Sequence, residues 1–291
     1  MAKEITRQLV FDLLPRRKAD SHKGSYGKLL CLAGSARFRG AGALAVEGAL
    51  RVGAGLVTLA GVEPVIGLVA ARCPECVFLP CRQNAEGGVS AQSGKAVLER
   101  ARGMDALLFG PGLGDTGDTA ALLEQLGPSA GCALVLDADG LNAAAKMDAP
   151  PRSPGLPLVL TPHPGEMARL CGLTVAEVNA GREGIAAGYA RAQDCVVVLK
   201  GHRTIVAGPG GEVYVNPTGN PGLSRGGSGD ILAGMIAGLV VQGLSPLEAA
   251  VCGVWLHGAA ADGCAKRLGQ YGMLPHDIFA DLGALFAAGE R

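Results

Sequence analysis

The sequence predicts an α/β fold built on a mostly parallel central sheet. Three observations predict it. Short β-rich apolar runs recur along the chain, each ends in a turn containing glycine, proline or aspartate, and segments with helical spacing lie between them.

Taken in order, the apolar runs are Lys28–Ala33, Leu56–Ala60, Ala106–Phe109, Ala133–Leu136, Leu158–Leu160 and Val196–Leu199. Their apolar residues run on rather than alternate, as expected of parallel strands covered on both faces. The segments Ala43–Val52, Gly94–Arg102, Ala120–Leu126 and Arg182–Ala192 have helical spacing and supply the connecting helices. Thr204–Val206 and Val213–Val215 flank Gly208-Pro209-Gly210-Gly211 and read as a hairpin added at an edge of the sheet. Beyond the hairpin the pattern turns helical. Ser228-Gly229-Asp230 opens a long apolar segment, and Ser245-Pro246-Leu247-Glu248 combines an N-cap, a first-turn proline and a capping-box glutamate. Two consecutive helices are expected there.

A chain of 291 residues exceeds the usual single-domain size, yet three-layer α/β folds often run this long. With no internal repeat, low-complexity tract or long polar linker, residues 1–291 read as one domain. Hydrophobic residues make up 48% and aromatic residues only 4%, so Ala, Val and Leu must fill the core. Twenty-six basic residues balance 26 acidic ones, which removes the electrostatic footprint of a nucleic-acid binder and favours a small-molecule partner.

The strongly apolar run Ile231–Val241 is about half of the ~20 residues a membrane span needs. Charges interrupt every apolar stretch of MAKEITRQLVFDLLPRRKAD, so a secretory leader is not expected and the cytoplasm is. Nine cysteines, scattered from Cys31 to Cys264 mostly inside apolar segments, suit reduced core thiols. Cys73-Pro74-Glu75-Cys76 with Cys81 forms one local cluster, but it lacks the second pair or nearby histidines of a zinc site.

The sharpest local signal is Gly226-Gly227-Ser228-Gly229-Asp230, followed directly by ILAGMIAGLV. Glycines let the backbone approach an anion, and the free N–H groups and dipole of a helix start favour phosphate. Asp230 reads equally as a catalytic carboxylate or as an N-terminal cap. Gly110-Pro111-Gly112-Leu113-Gly114 leaves a strand as either a tight turn or a ligand lip at the carboxyl edge. Thr161-Pro162-His163-Pro164-Gly165-Glu166 leaves another strand, with two prolines stiffening the turn. His163 could hydrogen-bond a ligand or be a loop histidine; Glu166 could hold a metal-bound water or be a first-turn carboxylate. Lys200-Gly201-His202-Arg203-Thr204 could meet nucleotide phosphates or ribose, or form a charged turn. His22, His202, His257 and His276 lack metal spacing and read as surface or satisfied core residues, and Trp255 reads as core packing.

Together these residues closely resemble the ADP/ATP-dependent NAD(P)H-hydrate dehydratases of the ribokinase-like superfamily. The resemblance runs in order through RRKADSHKGSYGKLLCLAGS, GAGLVTLA, GPGLG, LDADGLN, TPHPGE, VLKG and NPGLSRGGSGDILAG. GPGLG alone is common in nucleotide folds, whereas TPHPGE before a KG strand and GGSGDILAG is specific. The resemblance implies a three-layer α/β/α ribokinase-like domain. It implies that Gly42, Gly112, His163 and Asp230 contact the hydrated nicotinamide nucleotide (NADHX or NADPHX). Lys200, Gly201, His202, Arg203, Thr204 and the stretch Gly226, Gly227, Ser228 and Gly229 would hold ADP or ATP. Mg2+ would accompany the phosphates, with Glu166 organising it through water.

The implied chemistry begins with a poor leaving group, hydroxide on a hydrated dihydropyridine ring. Asp230 would take the hydroxyl proton as that oxygen attacks the terminal phosphoryl group of ADP or ATP. Phosphate would then depart with help from the ring nitrogen, and loss of a neighbouring proton would restore NADH or NADPH. Ser224-Arg225 departs from the small or hydroxyl residue usual before the glycine pair, where Arg225 would add a phosphate contact or narrow the site. The epimerase domain often fused to this family does not match here, so epimerisation is expected on another chain. The glycine- and alanine-rich helices and the resemblance together suggest a homotetramer. Two other classes compete: a ribokinase-like vitamin or sugar-alcohol kinase, against which TPHPGE argues, and a catalytically silent nucleotide sensor, which would have lost the aspartate or the glycine cradle.

Overall fold

The computed structural model describes residues 2–289, and its strands form one ten-stranded sheet. The chain enters through β1 (Lys3–Glu4) and α1 (Arg7–Leu13). Strand–helix units follow: β2 (Lys28–Leu32) with α2 (Arg39–Arg51), β3 (Leu56–Gly61) with α3 (Glu63–Arg72), and β4 (Val77–Pro80) with α4 (Gly94–Ala101). Next come β5 (Ala106–Phe109) with α5 (Gly117–Leu126) and β6 (Ala133–Leu136) with α6 (Asp139–Ala144). Between β7 (Leu158–Leu160) and β8 (Val196–Leu199) lie α7 (Pro164–Cys171), α8 (Val175–Ala180) and α9 (Arg182–Ala192). The hairpin β9 (Ile205–Ala207) and β10 (Val213–Val215) leads into α10 (Ser228–Val241), α11 (Pro246–Gly272) and α12 (Ile278–Gly289).

The strand order is β1-β10-β9-β8-β7-β6-β5-β2-β3-β4, and β9 alone runs against its neighbours. Every residue of β5, β6, β7 and β8 is buried, which is why these runs read as continuously apolar. From β2 the chain steps one way along the sheet, and from β5 it steps the other. Right-handed crossovers therefore send the two sets of helices to opposite faces, giving the three layers. The reversal between β2 and β5 opens a crevice at the carboxyl ends of the strands, where α/β sheets bind ligands.

The hairpin is not an edge. β1 pairs with β10, so the edges are β1 and β4. Neither edge strand was anticipated, because Lys3–Glu4 carries no apolar signal and β4 is short, partly exposed and ends in Pro80.

Helices α2 and α10 lie side by side and parallel, with contacts advancing together along both helices. Ala45 meets Gly234, Ala49 meets Gly238, and Gln242 Nε2 donates to the Val52 carbonyl at 2.9 Å. A Cβ on Gly234 would fall inside the Ala45 carbonyl oxygen, and one on Gly48 would lie 2.6 Å from the Ile231 carbonyl oxygen. The small residues foreseen from composition thus bring two helix N-termini to the same end of the sheet. The predicted start of α11 is present, with Glu248 N–H donating to Ser245 Oγ at 3.3 Å and Ser245 N–H to Glu248 Oε2 at 2.9 Å. Among the described residues no helix is long and apolar enough to cross a membrane.

Candidate active site

Strands β6, β7 and β8 deliver Asp137, Thr161 and Lys200 to the same edge. Asp137 is 1% exposed, and its Oδ1 accepts from Thr161 Oγ1 at 2.7 Å and from Lys200 Nζ at 2.6 Å. Lys200 Nζ also lies 3.8 Å from Glu166 Oε2. Burial by itself would strip the Lys200 proton, but the carboxylates of Asp137, Glu166 and Asp230 hold its pKa above the ordinary value. The ammonium is therefore a fixed cation at neutral pH. Ala138, next to Asp137, has φ 48° and ψ −115°, an uncommon conformation for a residue with a Cβ.

His163 is the N-cap of α7. Its Nδ1 accepts from the N–H groups of Gly165 at 2.9 Å and Glu166 at 3.3 Å, while Glu166 Oε2 accepts from His163 N–H at 2.7 Å. This reciprocal box fixes both side chains and leaves the His163 side chain half exposed, with Nε2 3.4 Å from Glu166 Oε1. Burial, Lys200 and Arg169 lower the His163 pKa against the pull of Asp137. Burial raises that of Glu166, with Lys200 opposing. Glu166 is thus a first-turn carboxylate, one of the two alternatives its position suggested, and it also neighbours the Lys200 ammonium.

Helix α10 starts without a side-chain cap. Its N-cap is Gly227 at φ 102°, a conformation that a residue with a Cβ rarely adopts; Ser228 N–H donates to the Arg225 carbonyl at 3.3 Å, and no side chain caps the first turn. Asp230 lies inside the first turn and is not the N-cap, which removes the capping alternative. Burial pushes its pKa up to about 7; repulsion from Asp137 adds to this, Lys200 opposes it, and Asp139 and Glu166 add smaller increments. A carboxyl so placed exchanges its proton near neutrality.

The Lys200–Thr204 loop is held from below by Arg182, whose Nη1 donates to the His202 carbonyl at 2.5 Å and whose Nη2 donates to the Leu199 and Lys200 carbonyls at 3.0 and 3.3 Å. Arg203 adopts φ 53°, and Thr204 Oγ1 donates to the Gly201 carbonyl at 2.9 Å. A cavity of about 590 Å3 collects His163, Glu166, the whole Lys200–Thr204 loop and the Gly226–Asp230 stretch. Arg225 also lines it and is tied to the Tyr271 carbonyl at 2.7 Å.

Gly42 and Gly112 are not in the cavity wall; they sit at the adjoining β2/β5 crevice. There Gly34 N–H donates to the Pro111 carbonyl at 2.7 Å, joining the loops after the two strands. Gly112 has φ 63°, and a Cβ on it would press on Ala41 and Phe38 at the head of α2.

Three residues of this edge had been passed over. Asp137 carried a readable signal, an acid immediately after a buried apolar run. Arg182 acts on carbonyls distant in sequence, so nothing local could announce it. His257, expected to be a surface or satisfied core residue, is 6% exposed with its Nε2 unpartnered. By contrast, Trp255 packs as expected, edge-on to Phe11 with centroids 6.2 Å apart. The nine cysteines are free, and burial raises the pKa of each. No group of three or more His, Cys, Asp or Glu among the described residues is arranged to hold a metal ion.

Such an edge belongs to the α/β proteins that place a phosphate against a helix start, with an acid of near-neutral pKa beside it. Residues 29–283 match the NAD(P)H-hydrate dehydratase family of carbohydrate-kinase-like proteins, and the chain belongs to that family. It is 46% identical over 265 residues to the bifunctional NAD(P)H-hydrate repair enzyme of Moorella thermoacetica, covering 91% of this chain and 50% of that protein. The chain thus spans about half the length of the curated relatives it matches first. It is 41% identical to the ADP-dependent (S)-NAD(P)H-hydrate dehydratase of Xanthomonas campestris, covering 88% of this chain and 86% of that one. The crystal structure of the Bacillus subtilis ADP/ATP-dependent NAD(P)H-hydrate dehydratase, co-crystallised with ATP/Mg2+, superposes with a TM-score of 0.86 at 34% identity, covering 99% of both chains. The fold is the ribokinase-like one that the motif order implied.

Proposed function

We propose that this chain dehydrates the S epimer of hydrated NADH or NADPH at the expense of ADP or ATP. The observation that carries the reading is Asp230, poised near pH 7 inside the uncapped start of α10 and opposite the Lys200 loop. Asp230 takes the proton of the ring hydroxyl as its oxygen attacks the terminal phosphoryl group. The bond to the leaving AMP or ADP breaks, and the hydroxyl becomes a phosphate ester. The ester's C–O bond then breaks with assistance from the ring nitrogen, and loss of the neighbouring proton gives NADH or NADPH and inorganic phosphate. N–H groups of Gly226, Gly227 and Gly229 and the Lys200 ammonium face the charge on the moving phosphoryl group. Lys200, Gly201, His202, Arg203 and Thr204 hold the adenine nucleotide. His163 and Asp230 hold the hydrate, with Gly42 and Gly112 admitting it at the crevice.

The protein donors suit a cation carried in by phosphates rather than one caged by side chains. Lys200 already occupies Asp137 Oδ1, and no three-ligand set is formed among the described residues. Glu166 Oε1, with Asp137 Oδ2, would hold Mg2+ through water, and Mg2+ would there neutralise phosphate charge. Free thiols support a reducing, cytoplasmic setting. The resemblance to the family suggests a homotetramer, which light scattering would reveal as a particle of about four chain masses. The second activity that the name of the bifunctional relatives implies is not assigned to these residues.

The purified chain, mixed with the hydrate, Mg2+ and ADP or ATP, is expected to regenerate absorbance at the reduced-nicotinamide band with one phosphate released per turnover. Chelator should abolish the rise and Mg2+ restore it. No rise with either nucleotide would refute the reading, and a stable phosphorylated product from an alcohol would support the kinase instead.

A further inference from the structure

Two buried polar atoms of cavity-lining residues have no hydrogen-bond partner, Ser228 Oγ and His257 Nε2. A buried polar atom left unpaired is costly, and a bound ligand that completes the contact removes the cost. His257 lies on α11, and its ring faces the Ser228 carbonyl in the first turn of α10. Its placement is held by neighbours on both sides. Asn216 Nδ2 donates to the Val254 carbonyl at 3.0 Å, and Thr218 Oγ1 donates to the Trp255 carbonyl at 3.0 Å, fastening the loop after β10 to α11. A Cβ on the adjacent Gly258 would strike Thr218, so this close seat requires glycine there. Burial, which Lys200 reinforces and the Ser228 carbonyl opposes, lowers the ring's pKa to about 4. The ring is neutral at physiological pH; its one N–H, at Nδ1, faces the Ser228 carbonyl, so Nε2 presents a lone pair suited to a hydroxyl donor.

Resting on the nucleotide reading above, we propose that His257, with the Ser228 hydroxyl, contacts an oxygen of the bound ADP or ATP where α10 meets α11. The oxygen is that of a ribose hydroxyl, which donates its proton to Nε2. Calorimetric titration with ADP would compare the wild-type chain with His257→Leu, which keeps bulk but cannot hydrogen-bond, and His257→Gln, whose amide reaches the position of Nε2. His257→Leu is expected to bind ADP about 10- to 100-fold more weakly, and His257→Gln to recover most of the loss. In steady state the KM for ADP should rise, while the KM for the hydrate and kcat at saturating ADP stay close to wild type. Whichever of 2′-deoxy- and 3′-deoxy-ADP lacks the donating hydroxyl should bind the wild type more weakly yet be indifferent to His257→Leu; a substitution that weakens ADP and both analogues equally would overturn the ribose contact. Unchanged ADP affinity in folded His257→Leu would overturn it while leaving the dehydratase reading intact, whereas a wild-type chain that binds no ADP would overturn both. Should the leucine variant fail to fold, histidine-labelled wild-type protein gives the answer by nitrogen NMR: the His257 Nε2 resonance must move when ADP is added, and a resonance that stays put overturns the proposal.

Discussion

Asp230 shows how a single residue's role depends on what surrounds it. In sequence it is an acid after a glycine run, equally suited to capping or catalysis. In the structure Gly227 takes the N-cap, and Asp230 is left partly buried among Asp137, Asp139 and Glu166, with Lys200 alone opposing the rise in its pKa to about 7. As a base it must be ionised, so kcat/KM for the hydrate should rise as pH increases to about 7 and level off above it. A profile flat from pH 5 to pH 9 would contradict this role. The linkage to stability has a definite sign. The unfolded carboxyl ionises near ~3.9, so between there and about 7 the folded state progressively loses stability as pH rises. Asp230→Asn, which cannot ionise, should therefore melt above wild type at pH 8, and the difference should shrink towards pH 4. At this scale the sequence exposed the glycines, His163, Glu166 and the Lys200 loop, because each sits in a short stiff motif. It concealed Arg182 and the orphaned His257, because their meaning lies in contacts between distant segments.

Among the elements, the strands buried on both faces were readable because every residue in them is apolar, and β5 to β8 have the boundaries expected. Helix α2 begins at Arg39 rather than Ala43, since Gly40 and Gly42 blur the helical period at its head. Strands β1 and β4 were invisible because edge strands need little apolar surface. The element on which the site most depends is the α2/α10 pair. Gly234 permits backbone contact with Ala45, so Gly234→Val should force the helices apart and cost roughly 2–3 kcal/mol of stability. Denaturant unfolding would read this as a lower midpoint, with weaker ADP binding because the start of α10 shifts. An unchanged midpoint would show that the helices are not held by this contact. The same substitution at Gly184, where a Cβ meets nothing within 4 Å, provides the control for backbone propensity.

For the whole molecule, the reversal of strand order between β2 and β5 decides where chemistry can happen. It gathers the loops after β2, β5, β6, β7 and β8 and the heads of α2 and α10 along one edge. The fold class was legible from the alternation of apolar runs and helical segments, and the family from the order of its motifs. Which parts would share one cavity was not, since Lys200 and Asp137 are 63 residues apart and meet only through the sheet. The proposed function rests on that convergence delivering a base to a hydroxyl beside a phosphoryl group. The most direct measurement is turnover of hydrated NADPH with ADP by purified Asp230→Asn, alongside its affinity for ADP. Turnover should fall about 10²- to 10⁴-fold, the usual contribution of a general base, with ADP affinity largely intact. Near-wild-type turnover by the folded variant would contradict the assignment.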